Sequence, residues 1–229
     1  MLENHPSRIK YDNPKMYHWK SWESNTPFAP SWDIPIYVDT VGKRVTTDLV
    51  NLIDGTSACV DRTKWESYNI FSWDYMAIAY LSDRIYQIYD EYMTELNYDP
   101  LPRNKIWIRG WAVVLFENEQ VDYHSHSYHE NTYLSGNISL SNLDTTTDYY
   151  FPNLSWYDGF WKVKNDTGKM TLFPSWIEHQ VDPNTTGKVR YSVAFDMFTE
   201  HTMNYISENR NENSEFQKVI LLSKRMDVI

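Results

Sequence analysis

The chain has 229 residues, the length of one domain or of one domain with a small helical appendage. With 21 basic against 31 acidic side chains the formal net charge is −10, which argues against a nucleic-acid binder that works by phosphate neutralisation. Hydrophobic residues reach 41% and aromatic residues 16%, so a packed core can form and global disorder is excluded.

Residues 1–45 are polar, aromatic and proline-bearing, and read as an extended arm with one strand at 34–38. Trp19, Trp22 and Trp32 would lay this arm onto the core. The first residues, MLENHPSRIKYDNPKMYHWK, hold no apolar run of the signal-peptide kind. No uncharged apolar stretch approaches the roughly 20 residues of a membrane span. The expectation is therefore a cytoplasmic protein without a membrane partner. Residues 46–56 read as a short helix capped by Thr46 or Thr47 and ended by Gly55. Cys59 is the single cysteine, so it makes no internal disulfide and reads as a small buried hydrophobe.

The clearest helix spans 73–96. Ile78, Leu81, Ile85, Ile88, Tyr89, Tyr92 and Leu96 recur at spacings of three and four, which marks one buried stripe. Asp83, Arg84, Asp90, Glu91 and Glu95 sit largely off that stripe, and Asn97 and Pro100 end the helix. This element reads as scaffold. Trp65 and Trp73, beside it, read as packing.

From 105 onward the texture changes to short strands, at 106–116, 133–140, 148–151, 159–163, 170–173 and 189–198, separated by turn residues. That spacing suggests an antiparallel barrel or sandwich. Residues 205–217 read as a polar loop before a last apolar piece at 219–222.

Three of the seven histidines fall within six positions, His124, His126 and His129, and a fourth, His179, follows the run KMTLFPSWIEH. In a strand, residues i and i+2 point to one face, so His124 and His126 can present both imidazoles to one point. Imidazole suits Fe, Zn, Cu and Ni, and His179 from a distant strand end would close the site. Surface histidines also cluster without a metal. Arg190 and Ser192 are two apart in VRYSVAFDMF and share a face, where they would form a fork for a carboxylate. A buried Arg is costly unless it meets an anion, whereas an exposed one would need only a surface acid.

The run Trp111-Ala-Val-Val-Leu115, His124-Ser-His126, Tyr133-Leu-Ser-Gly136, Gly168 through Phe173-Pro-Ser-Trp176-Ile-Glu-His179, and Arg190-Tyr-Ser192-Val-Ala-Phe195 resembles the Fe(II)/2-oxoglutarate-dependent oxygenases. It looks closest to the small prolyl-hydroxylase-like branch met in phage and bacterial genomes. The resemblance covers about residues 105–200, and the F-P-S-W-x-x-H block followed by R-x-S is its most specific part.

This resemblance implies a mainly β fold with a helical N-terminal part: a double-stranded β-helix core of the jelly-roll, cupin-like kind, with a supporting helix. The resemblance implies a catalytic core over 105–200, to which the chain as read adds an N-terminal arm and supporting helices over 1–104 and a C-terminal extension over 201–229, all one structural domain. It implies that His124, His126 and His179 hold Fe(II), that Arg190 with Ser192 holds the distal carboxylate of 2-oxoglutarate, and that dioxygen is the co-reactant. The activity implied is oxidative decarboxylation of 2-oxoglutarate to succinate and CO2, coupled to hydroxylation of a substrate, with a peptidyl or free amino acid favoured.

The superfamily's second ligand is usually a carboxylate, and His126 stands in its place, as in the H-x-H branch. Counting back from Leu134-Ser135-Gly136 puts His129 at that position instead, so His129 stays an alternative ligand, with Asp122 and Glu130 behind it. Tyr133, Tyr149, Tyr150, Phe173 and Trp176 are candidates to line a dry pocket, and residues 141–168 to include a substrate-covering loop; the plain alternatives are core packing and a β-hairpin. Two other functions compete: a three-histidine cupin-like dioxygenase without 2-oxoglutarate, and a metal-free aromatic-rich β-sandwich binding module.

Overall fold

The structure, a computed structural model, describes residues 15–21, 23, 25–126, 133–150, 159–209 and 218–222. Among the described residues eleven strands form two antiparallel sheets. The strands are β1 (Lys15–Lys20), β2 (Asp33–Thr40), β3 (Ile106–Leu115), β4 (Val121–His124), β5 (Leu134–Ser139), β6 (Thr146–Tyr150), β7 (Phe160–Lys164), β8 (Lys169–Pro174), β9 (Glu178–Val181), β10 (Arg190–Thr199) and β11 (Ile220–Leu221). The larger sheet runs β1-β2-β8-β5-β10-β3-β11 and the smaller β4-β9-β6-β7. The six strands expected after residue 105 are all present, and the expectation of a mainly β fold with antiparallel sheets holds. The large sheet also takes in β1, β2 and β11, from outside 105–200. Strands β1, β4 and β9 carry no sustained alternation of their own; pairing, not pattern, makes them strands.

Helices α1 (Lys43–Asp54) and α3 (Met76–Glu95) belong, with the large sheet, to the main core, built from residues such as Leu49, Ile53, Leu81, Ile85, Ile108 and Val193. A second cluster, Ile34, Ile36, Tyr149, Val163, Phe173 and Ile177, joins residues of the two sheets. Cys59 is buried, on the four-residue helix α2 (Ser57–Val60).

Helix α3 ends as its sequence indicates. Asn97 adopts a left-handed φ of 59°, and the Tyr98 N–H bonds back to the Met93 carbonyl at 2.9 Å. Gly55 likewise closes α1, its N–H on the Asn51 carbonyl. The other end of α1 differs from expectation. The helix starts earlier, with Gly42 as N-cap, and the Thr46 and Thr47 hydroxyls donate back to the Lys43 carbonyl from within the first turn.

The stripe on α3 is wider than its apolar residues. Asp83 and Arg84, expected off it, are buried. Arg84 Nη2 meets Asp39 Oδ2 at 2.5 Å and its Nε donates to the Thr40 carbonyl, which ties the helix to the end of β2. Asp83 pairs with Arg103. Residues 205–209, expected in a loop, belong to helix α4 (Glu200–Asn209). Within 141–168 lies the antiparallel pair β6–β7, while 151–158 fall outside the described residues.

Gly136 is required by close approach: a Cβ there would lie 2.1 Å from the Phe195 ring across the β5–β10 pair. The small residue lets a large ring fill the sheet face behind the site.

Candidate active site

His124 ends β4 and stands directly opposite His179 of β9 in the ladder. Facing residues of an antiparallel pair have side chains close together on one face, so one register match brings the two imidazoles side by side. Their ring centroids are 4.3 Å apart. His126 follows two residues past His124, and its N–H donates to the Ser175 carbonyl at 2.9 Å, which turns its ring back to 5.1 Å from His179. The candidate ligand atoms of His124, His126 and His179 all lie within 4.8 Å of one another, and among the described residues they form the one such group.

Each imidazole is tied through Nδ1. His124 Nδ1 bonds the Asp122 carbonyl at 2.7 Å, His179 Nδ1 the Ile177 carbonyl at 3.1 Å, and His126 Nδ1 the Asp196 carboxylate. Nδ1 is therefore the protonated nitrogen on each ring, and every Nε2 offers a lone pair. His124 and His126 bring these lone pairs within 3.2 Å of each other, nose to nose. Such a contact repels unless a cation lies between. Two imidazole nitrogens bound at about 2.1 Å and at right angles would sit about 3.0 Å apart. Burial and the neighbouring histidines hold His124 below, and His179 well below, the usual histidine range. Both rings are thus neutral at pH 7, the form a metal needs. The donor set fits a divalent cation that accepts imidazole.

Arg190 begins β10 and is 1% exposed. Its Nη1 donates to Ser192 Oγ at 3.1 Å, as alternation along the strand predicts, while Nε and Nη2 have no hydrogen-bond partner. Burial draws it down to about 10, so it stays charged at neutral pH. Two free donors on a buried guanidinium fit an anion. Tyr149 links the two halves: its ring is 5.8 Å from that of His179, its hydroxyl lies 2.5 Å from Thr171 Oγ, and the positive charge of Arg190 acts on it.

Of the other candidates, Phe173 packs edge-on against His179 at 5.1 Å. Tyr150 lies 5.0 Å from Tyr123, toward the surface, and Trp176 is 42% exposed. Tyr133 turns toward helix α3, its hydroxyl 3.0 Å from that of Tyr89. Asp122 is exposed and its carboxylate accepts from Gln120. His129 and Glu130 fall outside the described residues.

A pocket of about 760 Å³ opens beside His124 and His126, walled by Trp65, Trp111, Glu119 and Asp122. Trp65 comes from the 3₁₀ turn Arg62–Ser67; its ring lies 5.3 Å from that of Trp111 of β3, tilted by 51°, with the Arg109 guanidinium 4.8 Å over its own ring. Trp65, expected as packing, is thus part of the pocket wall. Arg109, Ser135 and Asp196 also escaped the sequence reading. All are buried polar residues at strand positions where an apolar side chain is the default, which was their only signal.

Residues 109–196 match the family described as "Putative 2OG-Fe(II) oxygenase". The segment that carries most of the strand core is thus similar to this family. Such oxygenases use Fe(II) and 2-oxoglutarate, and the triad and the Arg190 fork lie on or beside this segment. A prolyl-4-hydroxylase from Pseudomonas putida has the same fold, with a TM-score of 0.55 at 11% identity over 72% of this chain and 86% of that one. HygX from Streptomyces hygroscopicus with iron bound gives 0.52 at 14% identity, over 72% and 82%. EvdO2 from Micromonospora carbonacea gives 0.51 at 13% identity, over 72% and 86%. These likenesses concern the fold alone. No curated protein matches the sequence.

Proposed function

We propose that this protein hydroxylates a peptidyl or free amino-acid substrate at the expense of 2-oxoglutarate and dioxygen. In this reading His124, His126 and His179 hold Fe(II) through Nε2, and Arg190 with Ser192 holds the distal carboxylate of 2-oxoglutarate. Bound iron supplies the oxidising chemistry, with 2-oxoglutarate decarboxylated to succinate and CO2. The protein's own contribution is placement. Tyr149 and Phe173 keep the inner side of His179 dry, and the Nδ1 contacts keep the three rings aimed.

The observation that carries this reading is the buried Arg190 with two unpartnered donors near three converging neutral imidazoles. A three-histidine dioxygenase that does not use 2-oxoglutarate would leave that buried charge without an anion, and a metal-free binding module would leave both features without a use.

The pocket beside His124 and His126 is the natural seat for substrate. Among the described residues its ionisable walls besides the histidines are Glu119 and Asp122, and its flat surfaces are Trp65 and Trp111. This suits a neutral or cationic group better than an anionic one, and with the net charge of −10 it favours a small molecule or peptide over nucleic acid. The P. putida protein of similar fold is a prolyl-4-hydroxylase, which supports an amino-acid substrate by fold-level analogy. No helix among the described residues is long and apolar enough to cross a membrane, and we assign the reaction to the cytoplasm, the host's if the gene is phage-borne.

The test is anaerobic addition of Fe(II) and 2-oxoglutarate, which should give a weak visible charge-transfer band. Succinate release should follow on admitting air, with mass spectrometry of candidate amino acids and peptides. No band and no succinate would sink the reading.

A further inference from the structure

Three neutral imidazoles bring no negative charge to a metal, whereas the 2-His-1-carboxylate arrangement brings one. A carboxylate does stand at this centre, one ring away from the ligand atoms. Asp196 of β10 is 1% exposed, and its Oδ1 accepts from His126 Nδ1 and, at 2.6 Å, from Ser135 Oγ. Ser135 Oγ lies 2.9 Å from Ser175 Oγ, and the Ser175 carbonyl accepts the His126 N–H. One buried polar cluster therefore grips His126 by backbone and ring together. His124 and His179 are held differently, each by a neutral backbone carbonyl.

We propose that Asp196 is the positioning residue of this centre, which fixes the His126 tautomer and, through that ring, returns to the metal the negative charge the ligand set lacks. The proposal rests on the reading of the triad as a metal site. An imidazole that gives its N–H to a carboxylate is locked in orientation and is a stronger donor at its other nitrogen. In a dry interior a charge a few ångströms beyond the ligand still acts on the cation, because the medium screens it weakly. The strand register makes the arrangement possible. Asp196 stands opposite Ser135 in the β10–β5 pair and opposite Arg109 in the β10–β3 pair, so it is central to the sheet and shut off from water. A carboxylate in that place is costly unless it is hydrogen-bonded, and the His126 Nδ1–H and the Ser135 hydroxyl supply those bonds.

The test is a Co(II) titration of the chelator-treated full-length protein, followed by visible absorption. Asp196→Asn, nearly isosteric but uncharged, should weaken Co(II) binding about 10- to 100-fold with its metal-free melting temperature and circular dichroism unchanged. His126→Asp alone should bind poorly, because two buried carboxylates then crowd one another. His126→Asp combined with Asp196→Asn should bind more tightly than His126→Asp, because a single negative charge has been moved onto the metal. Wild-type affinity in Asp196→Asn, or a double variant no better than His126→Asp, would overturn the proposal.

Should Asp196→Asn fail to fold, nitrogen-15 NMR of the wild type with Zn(II) decides. The His126 Nδ1–H should be the most deshielded of the three; a His126 protonated at Nε2, or no more deshielded than His124 and His179, overturns it. The metal reading fails separately, taking the proposal with it, if His124→Ala and His179→Ala keep wild-type Co(II) affinity.

Discussion

His124 and His179 lie 55 positions apart in the chain yet face each other directly across the β4–β9 ladder, their rings 4.3 Å apart. A single register match thus brings together two of the three histidines of the candidate metal cluster, and a slip of one residue would send His179 to the other face. Either histidine changed to Ala should abolish tight Co(II) binding. The wild-type protein should gain several degrees of melting temperature with Fe(II) or Co(II) and lose them again with a chelator, while both variants should show no metal-dependent shift.

Arg190 should divide cosubstrate binding from metal binding. Arg190→Met keeps much of the side-chain volume and removes the charge, so the apparent 2-oxoglutarate affinity should fall by about 100-fold, near 3 kcal/mol, with Co(II) affinity unchanged. Arg190→Lys should recover part of that loss, since a single ammonium cannot reproduce the fork. Titration of the visible band with 2-oxoglutarate measures both.

Gly136→Ala should destabilise the protein by about 1–3 kcal/mol, because its Cβ would collide with the Phe195 ring. Chemical denaturation would show the lowered midpoint with an unchanged slope. Phe195→Leu in the same chain should return part of the stability by clearing the space.

Arg84→Ala should cost about 3–5 kcal/mol, more than an exposed ion pair ever does, since it strands Asp39 in the interior. Adding Asp39→Asn should relieve much of that loss. A double-mutant cycle on thermal midpoints would expose the coupling, and strict additivity of the two changes would refute it.

The metal-free protein should lose stability in acid as its histidines charge. His179 and His124 are held below their unfolded value of 6.5, so the unfolded chain binds their protons more readily than the folded one. Their contribution is complete above about pH 6.5 and is lost as the pH falls below that value and through the lower folded values. Melting temperatures of chelated protein between pH 7.5 and pH 5 should fall, and bound Zn(II) should flatten the upper part of that fall.

Local pattern carried the parts that repeat along one element. The three-and-four spacing from Ile78 to Tyr92 marked helix α3, and Asn97 marked its end. The two-residue spacings of His124 with His126, and of Arg190 with Ser192, announced that each pair shares a face, because a strand side chain returns to its face every second residue. Strand neighbours were another matter. Asp196 meets His126 across 70 positions, Ser135 meets Asp196 across 61, and Trp65 reaches Trp111 from a turn that has no period at all. Asp83 and Arg84 looked solvent-facing on the helix wheel until Arg103 and Asp39 arrived to cover them. Periodicity states which way a residue points; only the pairing of distant strands states what it points at. The clustered histidines and the Arg190–Ser192 pair were therefore legible from the chain, while the carboxylate behind His126 and the walls of the pocket beside it came into being only when the two sheets closed.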